Sequence, residues 1–272
     1  PNNTLELVDN INYLNANNIK YLVLGKGSNV ILPDKPFDGA IISLENMNNF
    51  TINNNIVEAQ SGIALSNLVV NTINNNLTGL EKLALIPGTL GGAIYGNAGV
   101  KDVDISTHIK SVSYLEDNIV KTMSKSEANF SCRNSIFKTM NVIILGATFE
   151  LSEGKTEEMV EIVKSDRIKR MNSQPLNYPS AGSVFKNPEG LFAAKLIEDA
   201  NLKGLSVNGA MVSEKHANFI VNMGNAKASD IKKIIDTIKS KALAKYGIRL
   251  RVEQRLINWV GVSEIDESEK ED

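Results

Sequence analysis

Three short stretches hold the residue types that could do chemistry. In "AGSVFKNPEG", residues 181–190, Ser183 follows a glycine and precedes Lys186 and Asn187. A serine nucleophile needs a base and an orienting acid, or the strained G-x-S-x-G turn between strand and helix. "SAGSVFK" is not that turn, and neither His108 nor His216 stands in the context of a catalytic base. Two readings of Ser183 stay open: a turn residue, or a hydroxyl that protonates a carbanion-like centre, with Lys186 supplying favourable charge. In "CRNSIFK", Arg133 is either a surface arginine in a hairpin or a planar guanidinium that grips a carboxylate in two-pronged fashion. In "RVEQRLIN", period-two alternation sets Glu253 and Arg255 on one strand face with Arg249 and Arg251. On spacing alone, an ion-paired, half-exposed strand explains that set.

Two glycine-rich stretches add a binding chemistry. "LGKGSNVIL" ends a strand in a tight turn at Gly25 and Gly27, where the missing side chains let backbone N–H groups approach an anion. It lacks the third glycine of the dinucleotide fingerprint and leads into a strand, so a plain hairpin turn competes with a phosphate cradle. "IPGTLGGAIYGNAG" packs Gly88, Gly91, Gly92, Gly96 and Gly99 behind Pro87. Such density marks a chain passing close to something, either a phosphate-bearing cofactor or a neighbouring sheet.

The elements that position these stretches follow from apolar spacing. Leu5, Val8, Ile11 and Leu14 predict a helix over 4–17 that runs into the strand "YLVLG". "AIISL" and "TINNNIVEAQ" predict short strands, and "ALSNLVVNTINNNLTGLEKL" a helix through Leu65, Leu68, Val69 and Ile73. Between 110 and 151, three pieces predict an antiparallel sheet. Met159, Ile162, Val163 and Ile168 predict a charged helix, ended by the two prolines of "NSQPLNYPSAG", and a domain boundary falls there. Beyond it, "GLFAAKLIEDANLKG" and "ASDIKKIIDTIKSKALAKYG" predict helices, and "RVEQRLINWV" a closing strand. The expected class is α+β.

Composition bounds the rest. The 272 residues suffice for two or three compact units, and with 42% hydrophobic and 22% charged residues the chain is globular. A net charge of -2 carries no general signal for nucleic acid, and the tail "GVSEIDESEKED" contributes -5 of it, leaving +3 on residues 1–260. That balance suits small anionic ligands, and the tail, 261–272, is expected to be disordered. A single cysteine, Cys132, excludes a disulfide within the chain and any multi-cysteine metal site. No apolar run approaches a membrane span and no signal pattern opens the chain, so the cytoplasm is the expected compartment, with no metal and no membrane insertion.

In this order, the stretches closely resemble the UDP-N-acetylenolpyruvoylglucosamine reductase family, flavoenzymes that complete UDP-N-acetylmuramic acid for bacterial peptidoglycan. "LGKGSNVIL" resembles the family's L-G-x-G-S-N stretch, "IPGTLGGAIYGNAG" its I-P-G-x-x-G-G-A-x-x-N-A-G loop, and "PSAGSVFKNP" its serine segment; "SEKHANFIVN" and "GIRLRVEQRLI" also fit. The resemblance runs from Pro1 to Trp259 and is to the shorter of the family's two forms.

What it implies is an FAD-binding region of vanillyl-alcohol-oxidase type over 1–172, in two subdomains (1–60 and 61–172), and an α+β substrate domain over 173–260. The implied reaction is reduction of UDP-N-acetylglucosamine enolpyruvate: NADPH reduces bound FAD, hydride passes to the enolpyruvyl C3, and a proton goes to C2. By position, Ser183 matches the proton donor, Arg133 the active-site arginine and Glu253 the active-site glutamate. Gly25, Lys26, Gly27, Ser28 and Asn29, with Pro87, Gly88, Thr89, Gly91, Gly92, Asn97 and Ala98, are implied to hold FAD. Lys186 and Asn187 are candidates for the substrate diphosphate, with His216 and Tyr178 as further substrate contacts. A monomer acting on a UDP-linked sugar, with no nucleic-acid partner, is expected.

Three departures from the family pattern stand out. Cys132 takes the place of a tyrosine, Gly96 that of a common methionine, and the chain begins without the short stretch that usually precedes the first helix, which implies an incomplete flavin subdomain. Two alternatives fit parts of the sequence. An alcohol or sugar oxidase on the same flavin scaffold has no use for Arg133, Ser183 and Glu253 together, while a flavin-binding module without activity would tolerate all three departures.

Overall fold

The computed structural model describes residues 1–258 and the short strand Glu264–Ile265, so the rest of the expected acidic tail lies outside the described residues. The chain forms two compact units. The first comprises Pro1–Lys26 and Gly39–Ile168, the second Gly27–Asp38 and the chain from Lys169 onward.

The first unit is built on a five-stranded antiparallel sheet in the order Ile119–Ser124, Ile109–Glu116, Ile143–Glu150, Ile56–Gln60, Phe50–Asn53. Ile56–Gln60 pairs with Ile143–Glu150, so one sheet runs across the subdivision expected near residue 60. Its two faces serve two cores. One face packs on helix α2 (Leu65–Asn74) and helix α3 (Leu90–Gly96), where Leu65, Leu68, Val69, Ile73, Leu90 and Ile94 meet Val57, Val112 and Phe149. The other carries helix α1 (Thr4–Ala16) with Ile42, Leu44 and Met47, and takes Leu115 and Leu145 from the sheet. Strand alternation alone would put Leu145 with Ala147 and Phe149. A register shift between Ile144 and Gly146 turns it to the α1 side.

Helix α1 is capped by Asn3, whose side chain accepts the Glu6 N–H at 2.9 Å. Its buried stripe is Leu7, Ile11 and Leu14; the expected Leu5 is 73% exposed, because the i, i+4, i+7 row starts two residues later. The second glycine-rich stretch, expected as a loop, becomes helix α3. The Thr89 hydroxyl caps it by accepting the Gly92 N–H, and Asn97 closes it in a left-handed conformation at φ 43°. Helix α4 (Thr156–Ser173) carries the chain from one unit to the next. Of its expected stripe Met159 is buried, whereas Ile168 is 61% exposed.

The second unit packs helix α5 (Ala193–Asp199) and helix α6 (Ala228–Tyr246) with an antiparallel sheet of Ser206–Val207, Ala210–Val212 and Ile220–Asn222. Ile197, Ile234, Ile235, Ile238 and Ala242 close the core over Val184, Phe185 and Val212. The expected closing strand is broken. Val252 forms an isolated bridge, Gln254 bends, and among the described residues Arg255–Ile257 continues as a strand, parallel to Val30–Ile31. Residues 27–38 are therefore part of this unit. Ile31 enters its core, and the Asp34 carboxylate accepts the Ala228 and Ser229 N–H groups at the start of α6. A hydrogen bond from the Ser229 side chain, with those two backbone bonds behind it, holds Asp34 below the usual carboxylate range.

Candidate active site

In the second unit, Ser183 lies on a short central segment stitched on both sides. Ser183 bridges Phe219 and Phe185 bridges Val252, both antiparallel. On one side Val184 N–H donates to Asn218 O at 2.9 Å, while the Asn218 side chain accepts from Phe185 N–H (2.9 Å) and donates to Phe185 O (2.8 Å). On the other, Lys186 N–H donates to Arg251 O (2.9 Å) and Glu253 N–H to Val184 O (2.8 Å). Val184 and Phe185 are each 1% exposed, which anchors the segment in the core. Gly182, just before the serine, has φ 77°, a left-handed conformation that glycine adopts without a steric penalty.

Glu253 is tied to the same network. Its carbonyl accepts Asn29 Nδ2 at 3.2 Å, and Asn29 O accepts the Arg255 N–H at 3.0 Å. Alternation persists through the broken strand: Leu250, Val252 and Gln254 are buried, Arg249 and Arg251 exposed, Glu253 and Arg255 half-buried.

The expected substrate contacts are placed differently from one another. Lys186 is half-buried beside Ser183's segment. The Asn187 side chain accepts the Ala193 N–H at 3.0 Å and so caps the first turn of α5. Tyr178 is 38% exposed, in a turn closed by its N–H to Pro175 O. The His216 ring stacks edge-on against Phe219, with centroids 4.9 Å apart, and its Nδ1 accepts the Asn218 N–H at 3.2 Å. Burial pushes the His216 pKa down, which suits a ring nitrogen used as an acceptor. Among the described residues no hydrogen bond joins either histidine to Ser183. His108 lies in the first unit, with its ring against Gly79.

Arg133 is also in the first unit, in the turn closed by the Ser131–Asn134 bridge, with φ 54°. Its guanidinium is engaged within the chain: Nη1 donates to Asp104 Oδ1 (2.9 Å) and Asn97 O (3.4 Å), Nη2 to Gly99 O (2.6 Å). Asn97 is 2% exposed and uses both ends of its amide, donating to Ser131 O (2.8 Å) and accepting the Ser106 N–H (3.3 Å). The hairpin of Arg133 and the turn after α3 are thus one clamped structure. Asp104 has no signal of its own in the sequence, being one of two acids in "KDVDIS" and 29 positions before its partner.

The glycine stretches show features that fit a phosphate-bearing group. A Cβ at Gly25 would come within 2.6 Å of Thr89 Oγ1, so the first turn lies directly against the cap of α3 and needs its glycine. Beside it, a Cβ at Gly91 would meet the Ser61 side chain at 2.9 Å, and the Ser61 hydroxyl is buried with no hydrogen-bond partner among the described residues. Bare backbone and a spare hydroxyl are what an oxygen-rich ligand uses. Lys26 is exposed in this turn, and Gly27, Ser28 and Asn29 continue it in the second unit, Gly27 with φ 65°.

Residues 1–118 match the family model described as an FAD binding domain, which makes the class that of an FAD-dependent oxidoreductase of two α+β units. Residues 174–257 match the model described as the C-terminal domain of UDP-N-acetylenolpyruvoylglucosamine reductase. Curated reductases of that name are similar along nearly the whole chain. The one from Caldicellulosiruptor saccharolyticus is 41% identical over 260 residues, covering 94% of this chain and 84% of the relative. That from Clostridium perfringens is 37% identical over 258 residues, covering 94% and 85%. The crystal structure of UDP-N-acetylenolpyruvylglucosamine reductase from Thermus caldophilus superposes with a TM-score of 0.77 at 28% identity, over 93% of this chain and 89% of that one. The chain belongs to the UDP-N-acetylenolpyruvoylglucosamine reductase family.

Proposed function

We propose that the protein reduces UDP-N-acetylglucosamine enolpyruvate to UDP-N-acetylmuramate for peptidoglycan, with bound FAD and with NADPH as the reducing co-substrate. The observation that carries this reading is the pairing, in one chain, of an FAD binding domain with the C-terminal domain that names the reductase, at 41% identity to a relative covered over 84% of its length. Gly25 to Asn29, Pro87 to Thr89, Gly91, Gly92 and Ala98 would hold FAD, chiefly through backbone N–H groups, with the Asn97 amide keeping the turn after α3 in shape. When bound, FAD supplies the two-electron step between NADPH and the enolpyruvyl double bond.

The chain's own side chains handle the carboxylate and the proton. Arg133 binds the enolpyruvyl carboxylate through a guanidinium already oriented by Asp104 and the Gly99 carbonyl, and so stabilises charge that builds there. Ser183 delivers a proton from Oγ to C2, and Lys186 offsets the negative charge left on the oxygen. Glu253, one rung away, stabilises the same step electrostatically or shares in proton delivery. Lys186, Asn187, His216 and Tyr178 serve the UDP-linked sugar. The working form is a cytoplasmic monomer. No helix among the described residues is long and apolar enough to cross a membrane.

The test is to reconstitute the purified chain with FAD and follow NADPH oxidation with and without the enolpyruvyl substrate. Oxidation that depends on that substrate is expected. A protein that cannot retain FAD, or one that turns over alcohols with oxygen instead, would overturn the reading.

A further inference from the structure

Gln254 has no role in the chemistry above, yet it is a polar residue on the buried side of its segment, 5% exposed and in line with Leu250 and Val252. Its Oε1 is buried with no hydrogen-bond partner among the described residues. An unpaired buried acceptor is destabilising, a penalty that methionine or leucine at this position would avoid. Stability alone therefore argues against a glutamine here.

The other end of the amide gives the reason. Nε2 donates to Gly182 O at 3.0 Å, and that carbonyl belongs to the peptide that enters Ser183. The Phe185–Val252 bridge, continued two residues, sets Ser183 directly opposite Gln254. Both carbonyls flanking the serine are thus held by adjacent residues: Gly182 O by the Gln254 side chain, and Val184 O by the Glu253 N–H. The Gly182 grip matters more, because a glycine at φ 77° resists rotation of the following peptide less than any other residue. Rotation there swings the Ser183 Cβ and carries the hydroxyl away from the atom it must protonate.

We infer that Gln254 is a positioning residue for Ser183, its side-chain amide fixing the Gly182 carbonyl and with it the direction of the serine hydroxyl during substrate reduction. The inference rests on the reading of Ser183 as proton donor. It asks for no contact between Gln254 and substrate.

The experiment uses the FAD-loaded enzyme and measures separately flavin reduction by NADPH and flavin reoxidation by the enolpyruvyl substrate. Gln254→Met keeps the length and removes the donor. It should slow reoxidation roughly 10- to 100-fold, the scale of a misplacement of about 1 Å, with flavin reduction and substrate affinity left within about twofold. In a Ser183→Ala background the same substitution should add nothing, since there is no hydroxyl left to aim. Gln254→Glu, which turns a carboxylate toward the Gly182 carbonyl, gives the same comparison should the methionine variant not fold. Unchanged reoxidation in Gln254→Met, beside a slow Ser183→Ala, overturns the inference and leaves the donor reading standing. Equal loss in both half-reactions, or full additivity with Ser183→Ala, marks a merely structural role and overturns it too. Normal reoxidation in Ser183→Ala would sink the donor reading, and the role of Gln254 with it.

Discussion

Arg133 and Ser183, one in each unit, are held in opposite ways. Arg133 is fixed through the side chain proposed to bind the carboxylate, with the guanidinium bound to Asp104 and to the Gly99 carbonyl. Ser183 is fixed through its backbone neighbours, and none of the bonds that hold its segment uses its hydroxyl. In the first case orientation and stability share the same bonds, so an arginine variant disturbs both. In the second they are separate, and the hydroxyl can be removed with the scaffold intact.

The sharpest way to break this contrast is Ser183→Ala. Substrate-dependent reoxidation of the flavin should fall by about 10²- to 10⁴-fold, the range for loss of a general acid, while the melting temperature stays put. A matching drop in melting temperature would show that the hydroxyl also holds the segment. Arg133→Ala should lose activity and also about 1–2 kcal/mol of stability in a urea titration, a figure discounted because the ion pair is about 26% and 35% exposed. Full stability in that variant would remove the asymmetry. Asp104→Asn keeps the shape and weakens the pull on the guanidinium. It should cost less than about 1 kcal/mol and show chiefly as a raised KM, since the arginine remains but is less well aimed.

The smallest effect concerns acid. Burial depresses the His216 pKa, so the unfolded chain takes up a proton there more readily than the folded one. This contribution is fully present above the ordinary histidine value, about 6.5, and is lost as pH falls from there through the folded pKa. Stability measured from pH 7.5 downward should decline across that window, and His216→Gln should flatten the decline. An unchanged slope would mean that other groups, such as His108, likewise depressed by burial, carry the decline.

The sequence was most legible where spacing is local. Leu65, Leu68, Val69 and Ile73 all reached the core, because a helical stripe needs only its own residues. The second glycine-rich stretch reads as a loop by composition, because the residue its glycines pack against, Ser61, lies well upstream. Motif matching led to Ser183, Arg133 and Glu253, but not to the residues that hold them. Asp104 and Asn218 act through bonds that span 29 and 33 positions, which periodicity does not report. Gln254 did leave a trace: parity puts it with Leu250 and Val252, and a lone amide on an apolar face invites a question. The allegiance of residues 27–38 was out of reach, because Asn29 finds its partner 224 positions away.

That allegiance bears on how such a protein can be inherited or taken apart. A fragment beginning at Lys169 would lack the parallel neighbour of Arg255–Ile257, the core side chain Ile31 and the carboxylate that starts α6. Swapping this unit for that of a distant relative means exchanging two separate pieces of gene together. Recombination at a single crossover would leave twelve foreign residues in the middle of an otherwise native fold.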